Sequence, residues 1–161
     1  MNEMNVKTER RSVVKRILTS LMGVAGLGAL SKVEAKDREV SQEKQVGNVT
    51  TLQDVPLFSG HTKFGNLVFV AGKGAHFDGD ITAHTNHVLD EVKKELEKAG
   101  SSMEQVLKVN VYLADLHDYK AMNEAYKGKF GNKPPVRTTV ATYGGVPGDS
   151  LVEMDCIAYV K

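Results

Sequence analysis

The chain has 161 residues, a formal charge of +1 and a charged fraction of 25%, the profile of an ordinary folded protein of one domain. The charge is unevenly spread: residues 1–35 hold six Lys/Arg against three Asp/Glu, and the remainder holds fifteen against seventeen. A slightly acidic body without tryptophan offers no basic, aromatic surface for nucleic acid or an anionic membrane, and the single Cys156 cannot close an intramolecular disulfide.

Residues 1–35 have the three-part shape of an export signal. Basic Lys7, Arg10, Arg11, Lys15 and Arg16 precede an apolar run, Ile17 to Leu30, diluted by Gly23, Gly26 and Gly28. Val33 and Ala35 then fit the small-residue cleavage rule. Arg10-Arg11-Ser12-Val13-Val14-Lys15 resembles the twin-arginine pattern, although Glu9 stands where a polar residue is usual. The apolar run is shorter than the roughly 20 residues a spanning helix needs. The expectation is an exported, periplasmic protein, with an uncleaved membrane-proximal anchor as the alternative. Residues 36–54 are polar and without period, and read as a linker ahead of a domain over 55–161.

Leu67 to Gly72 is a short apolar, β-rich run, and Phe58 to Phe64 can pair with it through a turn at Gly65-Asn66. From Ile81 to Ala99, Val88, Leu89, Val92, Leu96 and Ala99 recur at helical spacing, and Gly100 is a natural stop. Leu107, Val109, Val111 and Leu113 alternate with Lys108, Asn110 and Tyr112, the period-two pattern of a strand covered on one side. Asp118 to Phe130 returns to helical spacing, with Tyr119, Met122, Tyr126 and Phe130 on one stripe. Two strands, Val136 to Tyr143 and Leu151 to Val160, close the chain around the turn residues Gly144 to Asp149. The order ββαβαββ predicts an α+β fold, two helices packed on one face of a mixed sheet. Both faces of the last strand carry apolar side chains, Val152, Met154, Cys156 and Ala158 on one and Ile157 and Tyr159 on the other. A second subunit is the economical cover for the face without helices.

His84, His87 and Glu91 have a spacing that could hold a transition metal, but the sequence fixes no further ligand and a lightly packed histidine pair is the simpler reading. Gly72-Lys73-Gly74 lacks the complete phosphate-loop spacing. Cys156 has no basic neighbour and reads as a buried thiol. Arg137 stands out because beyond residue 40 every other basic side chain is lysine. A guanidinium can grip a carboxylate with two parallel hydrogen bonds, so Arg137 is either a ligand clamp or half of a structural ion pair at a strand start.

Five blocks in fixed order resemble the RidA family, also called YjgF or reactive-intermediate deaminase. They are Gly65 to Gly72, Val106 to Asp115, Asp118 to Tyr126 with its Met-Asn-Glu-Ala-Tyr core, Pro135-Val136-Arg137-Thr138-Thr139-Val140, and Val152 to Ala158. The resemblance implies a chorismate-mutase-like α+β fold assembled as a homotrimer, with ligand clefts between subunits and no metal or organic cofactor. It also implies a 2-iminobutanoate/2-iminopropanoate deaminase type of hydrolase, which converts enamines and imines such as 2-aminoacrylate to 2-oxo acids and ammonia. By position, Arg137 matches the arginine that binds the substrate carboxylate and Glu153 the glutamate associated with the hydrolytic water. Asn123, Thr139 and Gly72 match cleft positions. The resemblance also puts Phe58 and Lys73 at substrate-binding positions, where the sequence departs from the family: Phe58 replaces a tyrosine, Lys73 a glutamine and Thr139 the cysteine of some members, and the loop from Ala75 to Ile81 is shortened. A different imine, or a noncatalytic exported protein that binds a small carboxylate, fits these departures. Ribonuclease activity, attributed to some relatives, is disfavoured by the acidic body.

Overall fold

A computed structural model describes residues 42–161 of the protein. The leader expected over residues 1–35 lies outside the described residues. Six strands form one mixed sheet in the order β1-β2-β3-β6-β4-β5. The strands are β1 (Gln45–Leu52), β2 (Val55–Phe64), β3 (Leu67–Lys73), β4 (Val106–Leu113), β5 (Val136–Ala141) and β6 (Val152–Tyr159). Helices α1 (Ile81–Lys98) and α2 (Tyr119–Tyr126) supply the covering layer. β4 and β5 are parallel and the other pairs antiparallel.

The apolar alternation in β3, β4 and β6 decides where the core lies. Val68, Val70, Val109, Val111, Leu113, Val152, Met154, Cys156 and Ala158 share one sheet face and are buried against Val88, Leu89, Val92 and Leu96 of α1 and Met122 of α2. Asp80 caps α1 by accepting a 2.7 Å hydrogen bond from the Ala83 amide. At the other end Gly100, at φ +82, lets the amides of Gly100 and Ser101 return to the carbonyls of Glu97 and Leu96. This closes the helix as a Schellman turn.

Two boundaries differ from the sequence expectation. The stretch read as linker, 36–54, contains β1, so the described order is βββαβαββ. Nearly every β1 side chain is exposed, which removes any burial period; its strand character comes from pairing with β2 across Gln53 and Asp54, both at positive φ. α2 ends at Tyr126 rather than near Phe130, because Gly128 and Gly131 take positive φ. Phe130 nevertheless reaches the core, its ring 4.9 Å from that of Tyr126.

The opposite sheet face has no covering layer among the described residues. Register places Val136, Lys108, Ile157, Phe69 and Thr62 in one row across it, with Val136 and Phe69 exposed.

β1 and β2 contribute no apolar residue to the buried core. They are joined to α1 by one carboxylate instead. Glu95, 2% exposed, accepts from Asn48 Nδ2 of β1 at 2.9 Å, pairs with His61 Nδ1 of β2 at 2.7 Å and accepts from Lys73 Nζ of β3 at 3.1 Å. Burial pushes its pKa up, but the hydrogen bonds from His61, Lys73 and Asn48 outweigh this and hold it below its usual value of 4.5. A carboxylate depressed on folding stabilises the fold above its unfolded pKa and loses that contribution as pH falls through the folded value. Glu95→Gln should therefore cost about 3 kcal/mol near neutral pH, read as a lower urea midpoint. The gap to the parent protein should narrow as pH falls below 4.5; a gap independent of pH would contradict this account.

Candidate functional site

Pro134 and Pro135 end the loop after α2 and deliver the chain into edge strand β5. Arg137 pairs in register with Val109 and Thr139 with Val111, both core positions, so Arg137 and Thr139 lie on the helix-bearing face. Above them, Tyr119, Asn123 and Tyr126 recur at helical spacing and form one stripe of α2. Arg137 Nη2 donates to Asn123 Oδ1 at 2.7 Å and lies 3.4 Å from the Tyr119 hydroxyl. Its Cζ sits 4.7 Å from the Tyr126 ring centroid and 5.8 Å from that of Tyr119, so two aromatic faces hold the cation.

Among the described residues no carboxylate pairs with Arg137. The ion-pair alternative is thus not what this fold contains; a neutral amide and two tyrosines brace the guanidinium instead. It opens, with Leu116, Tyr119 and Thr139, on a cavity of about 510 Å³. The Thr139 and Tyr126 hydroxyls are buried without a hydrogen-bond partner. Burial pushes the Tyr126 phenol up to about 12, against the pull of the Arg137 charge, so it stays protonated.

Glu153 lies elsewhere. It is paired in register with Tyr112, on the face away from the helices, and lines a smaller cleft of about 160 Å³ with Tyr112, Thr142, Gly145, Val146 and Pro147. Gly72 abuts it: a Cβ at Gly72 would overlap the Glu153 carboxylate. Beside it, Asp155 accepts from Tyr112 Oη and Asn110 Nδ2, each at 2.9 Å. The hydrogen bond to Asp155, with burial, holds the Tyr112 phenol above its usual range. One chain therefore gathers Arg137, Asn123 and Thr139 on one face and Gly72 with Glu153 on the other, and the two clefts share no residue.

Two further candidates lie apart from both clefts. Phe58, 53% exposed, sits on the part of β2 that pairs only with β1. Lys73, expected at the ligand site, lies on the helix face after a register shift in β3 and is paired there with Glu95. The possible metal ligands are also otherwise engaged. The Leu151 amide donates to His84 Nδ1 at 3.1 Å, and Nε2 lies 2.8 Å from the Phe77 carbonyl. Among the described residues there is no cluster of three potential metal ligands. Burial pushes the Cys156 thiol up to about 12, which leaves it inert as a nucleophile. The sequence reading missed Tyr119 and Tyr126 as cation-holding residues. Their place on an apolar stripe with Met122 and Phe130 made them look like core, and only a hydroxyl separates each from a core phenylalanine.

The profile of the family described as endoribonuclease L-PSP matches residues 51–160. The chain belongs to this family, the RidA/YjgF group. A RutC family protein of Pyrococcus abyssi is 42% identical over 109 residues, 63% of this chain and 85% of the relative. The 3-aminoacrylate deaminase RutC of Acinetobacter baylyi is 35% identical over 106 residues, 62% of this chain and 83% of that protein. Among solved structures, yeast YEO7 superposes with a TM-score of 0.66 at 26% identity, covering 74% of this chain and all of that one. This RidA-family chain has the α+β sheet with two helices expected from its sequence.

An unpartnered buried hydroxyl costs roughly 1–3 kcal/mol relative to its removal. Tyr126→Phe should keep the ring under Arg137 and raise the melting temperature; a clear fall would mean that the hydroxyl has a hydrogen-bond partner in solution.

Proposed function

We propose that this protein hydrolyses enamine and imine intermediates of the 2-aminoacrylate kind to 2-oxo acids and ammonia. The observation that carries the reading is a guanidinium braced by a neutral amide and two aromatic faces, open to a cavity and without an acidic partner among the described residues. Such a group is ready to take the carboxylate of a small acid through its remaining N–H donors. Membership of a family that includes a 3-aminoacrylate deaminase supports the reaction class.

The chemistry needs a held electrophile, a water and a proton carrier. An enamine first takes a proton from solvent at C3 and becomes the protonated imine. Arg137 fixes the carboxylate and Asn123 fixes Arg137. Glu153 accepts a proton from water as the water oxygen bonds to C2 and the C2–N double bond becomes single. That proton then passes to nitrogen, and Glu153 takes the proton of the new C2 hydroxyl as the C2–N bond breaks, so that ammonia leaves, C2 becomes a carbonyl and the last proton returns to solvent. Because Glu153 of the same chain lies on the other sheet face, the glutamate opposite a given Arg137 comes from a second copy, with the apolar face lacking helices as the contact. We take that assembly to be a homotrimer with clefts between subunits, the arrangement the family resemblance implies.

A second reading is favoured by the same separation. In one chain the clamp stands without Glu153, as a binder of small carboxylates would need. Calorimetric binding of a 2-oxo acid with no imine hydrolysis by the assembled protein would select it. Endoribonuclease action is disfavoured, since the slightly acidic body supplies no field for a phosphodiester backbone.

We also propose that residues 1–35 direct export by the twin-arginine route. Replacing both Arg10 and Arg11 by lysine should leave the protein in the cytoplasmic fraction at unprocessed length; unchanged distribution would refute the route. For the reaction, Arg137→Ala should lower kcat/KM for release of oxo acid from freshly generated 2-aminoacrylate by about 100-fold or more, the value of a charged, two-point hydrogen bond. Turnover at the parent rate would remove Arg137 from the mechanism.

A further inference from the structure

We propose that Glu95 is a positioning residue for the Glu153 half of the site, acting through Lys73 and the bulge in β3. This rests on the reading of Glu153 as the residue that handles water. Glu95 follows Val88 and Val92 on the stripe of α1 that faces the sheet, where an apolar side chain would pack at no electrostatic cost. A buried ion cluster is commonly no more stabilising than apolar residues of the same volume, so its presence here calls for another role. The surroundings are shaped to it. A Cβ at Gly60 would lie 2.7 Å from Glu95 Oε1, and one at Gly47 would overlap the His61 ring. Asn48 takes φ +55 as its amide reaches the carboxylate.

The mechanical link runs through β3. Against β6, Val70 pairs with Cys156 but Lys73 with Met154, so the register shifts and β3 carries one extra residue in that interval. Such a bulge redirects side chains and sharpens local twist. Here it sends Lys73 to the helix face, where Glu95 holds it, and sets Gly72 against the Glu153 carboxylate on the other face. The ion pair thus anchors the downstream end of the bulge whose backbone walls Glu153. Within the same chain Arg137 is three strands from β3 in sheet order, and its side-chain partners are Tyr119 and Asn123, outside this cluster.

The test uses the full protein, its Glu95→Gln variant, and a triple variant, Glu95→Leu with His61→Leu and Lys73→Met, which removes the charges together and so avoids an orphaned buried cation. The triple variant should keep the parent urea midpoint while kcat for imine hydrolysis falls by about 10- to 100-fold and KM, set by Arg137, stays within about twofold. Amide exchange should quicken at Ala71, Gly72 and Lys73 and stay unchanged in β4. A triple variant with parental kcat, or a loss confined to KM, overturns the proposal. So does exchange at residues 71–73 equal to the parent's. Absence of hydrolysis in the parent protein overturns the functional reading instead, and the exchange comparison then still decides whether Glu95 holds the bulge.

Discussion

Side-chain alternation across a sheet in fixed register is the constraint from which the rest of this structure follows. Cys156 of β6 pairs with Val109 of β4, and Val109 with Arg137 of β5. Glu153, three positions before Cys156, must then face the opposite way from Arg137. No rotamer change crosses a sheet packed on one side by helices. The clamp and the carboxylate that the family resemblance brings together are separated by the thickness of their own sheet. A shared site therefore needs another copy, and the apolar row through Phe69, Ile157 and Val136 gives that copy a surface to cover.

The two halves of the proposed site are held by different physics. Arg137 is kept by soft, neutral contacts, an amide oxygen and two ring faces, which leave its charge uncompensated for a ligand. Glu153 is kept by closeness, with Gly72 and Tyr112 as its neighbours and a polar network centred on Asp155 beside it. The hairpin of β1 and β2 is attached by neither device. It depends on pairing to β3 and on Glu95, the one carboxylate among the described residues buried in the helix layer, where four elements meet.

Much of this was legible in the sequence where burial imposes a period. α1 follows its helical apolar spacing and β6 its alternation nearly to the residue, and β4 does so from Val109 onward, while Leu107 is exposed because a register shift at Val106/Lys108 puts Val106 in the core instead. β1 was not legible, because a strand exposed on both faces has no period and exists through its partner alone. α2 was read too long, since Phe130 keeps the stripe while the glycines at 128 and 131 break the helix. At the site, Arg137 stood out by composition, but its partners did not. Tyr119 and Tyr126 look like core residues until the guanidinium is placed between them. Lys73 looked like a ligand residue because its destination depends on a bulge that composition does not reveal. The carboxylate of Glu95 on an otherwise apolar stripe was the available signal for the buried cluster.

The sharing of one site between copies is the central claim, and subunit mixing tests it most directly. Arg137→Ala and Glu153→Gln proteins, each inactive alone, would be unfolded together and reassembled. A cleft built from an arginine of one copy and a glutamate of another should be intact in about a quarter of randomly mixed interfaces, restoring that share of the parent activity. Mixed assemblies that form yet stay inactive would contradict the account.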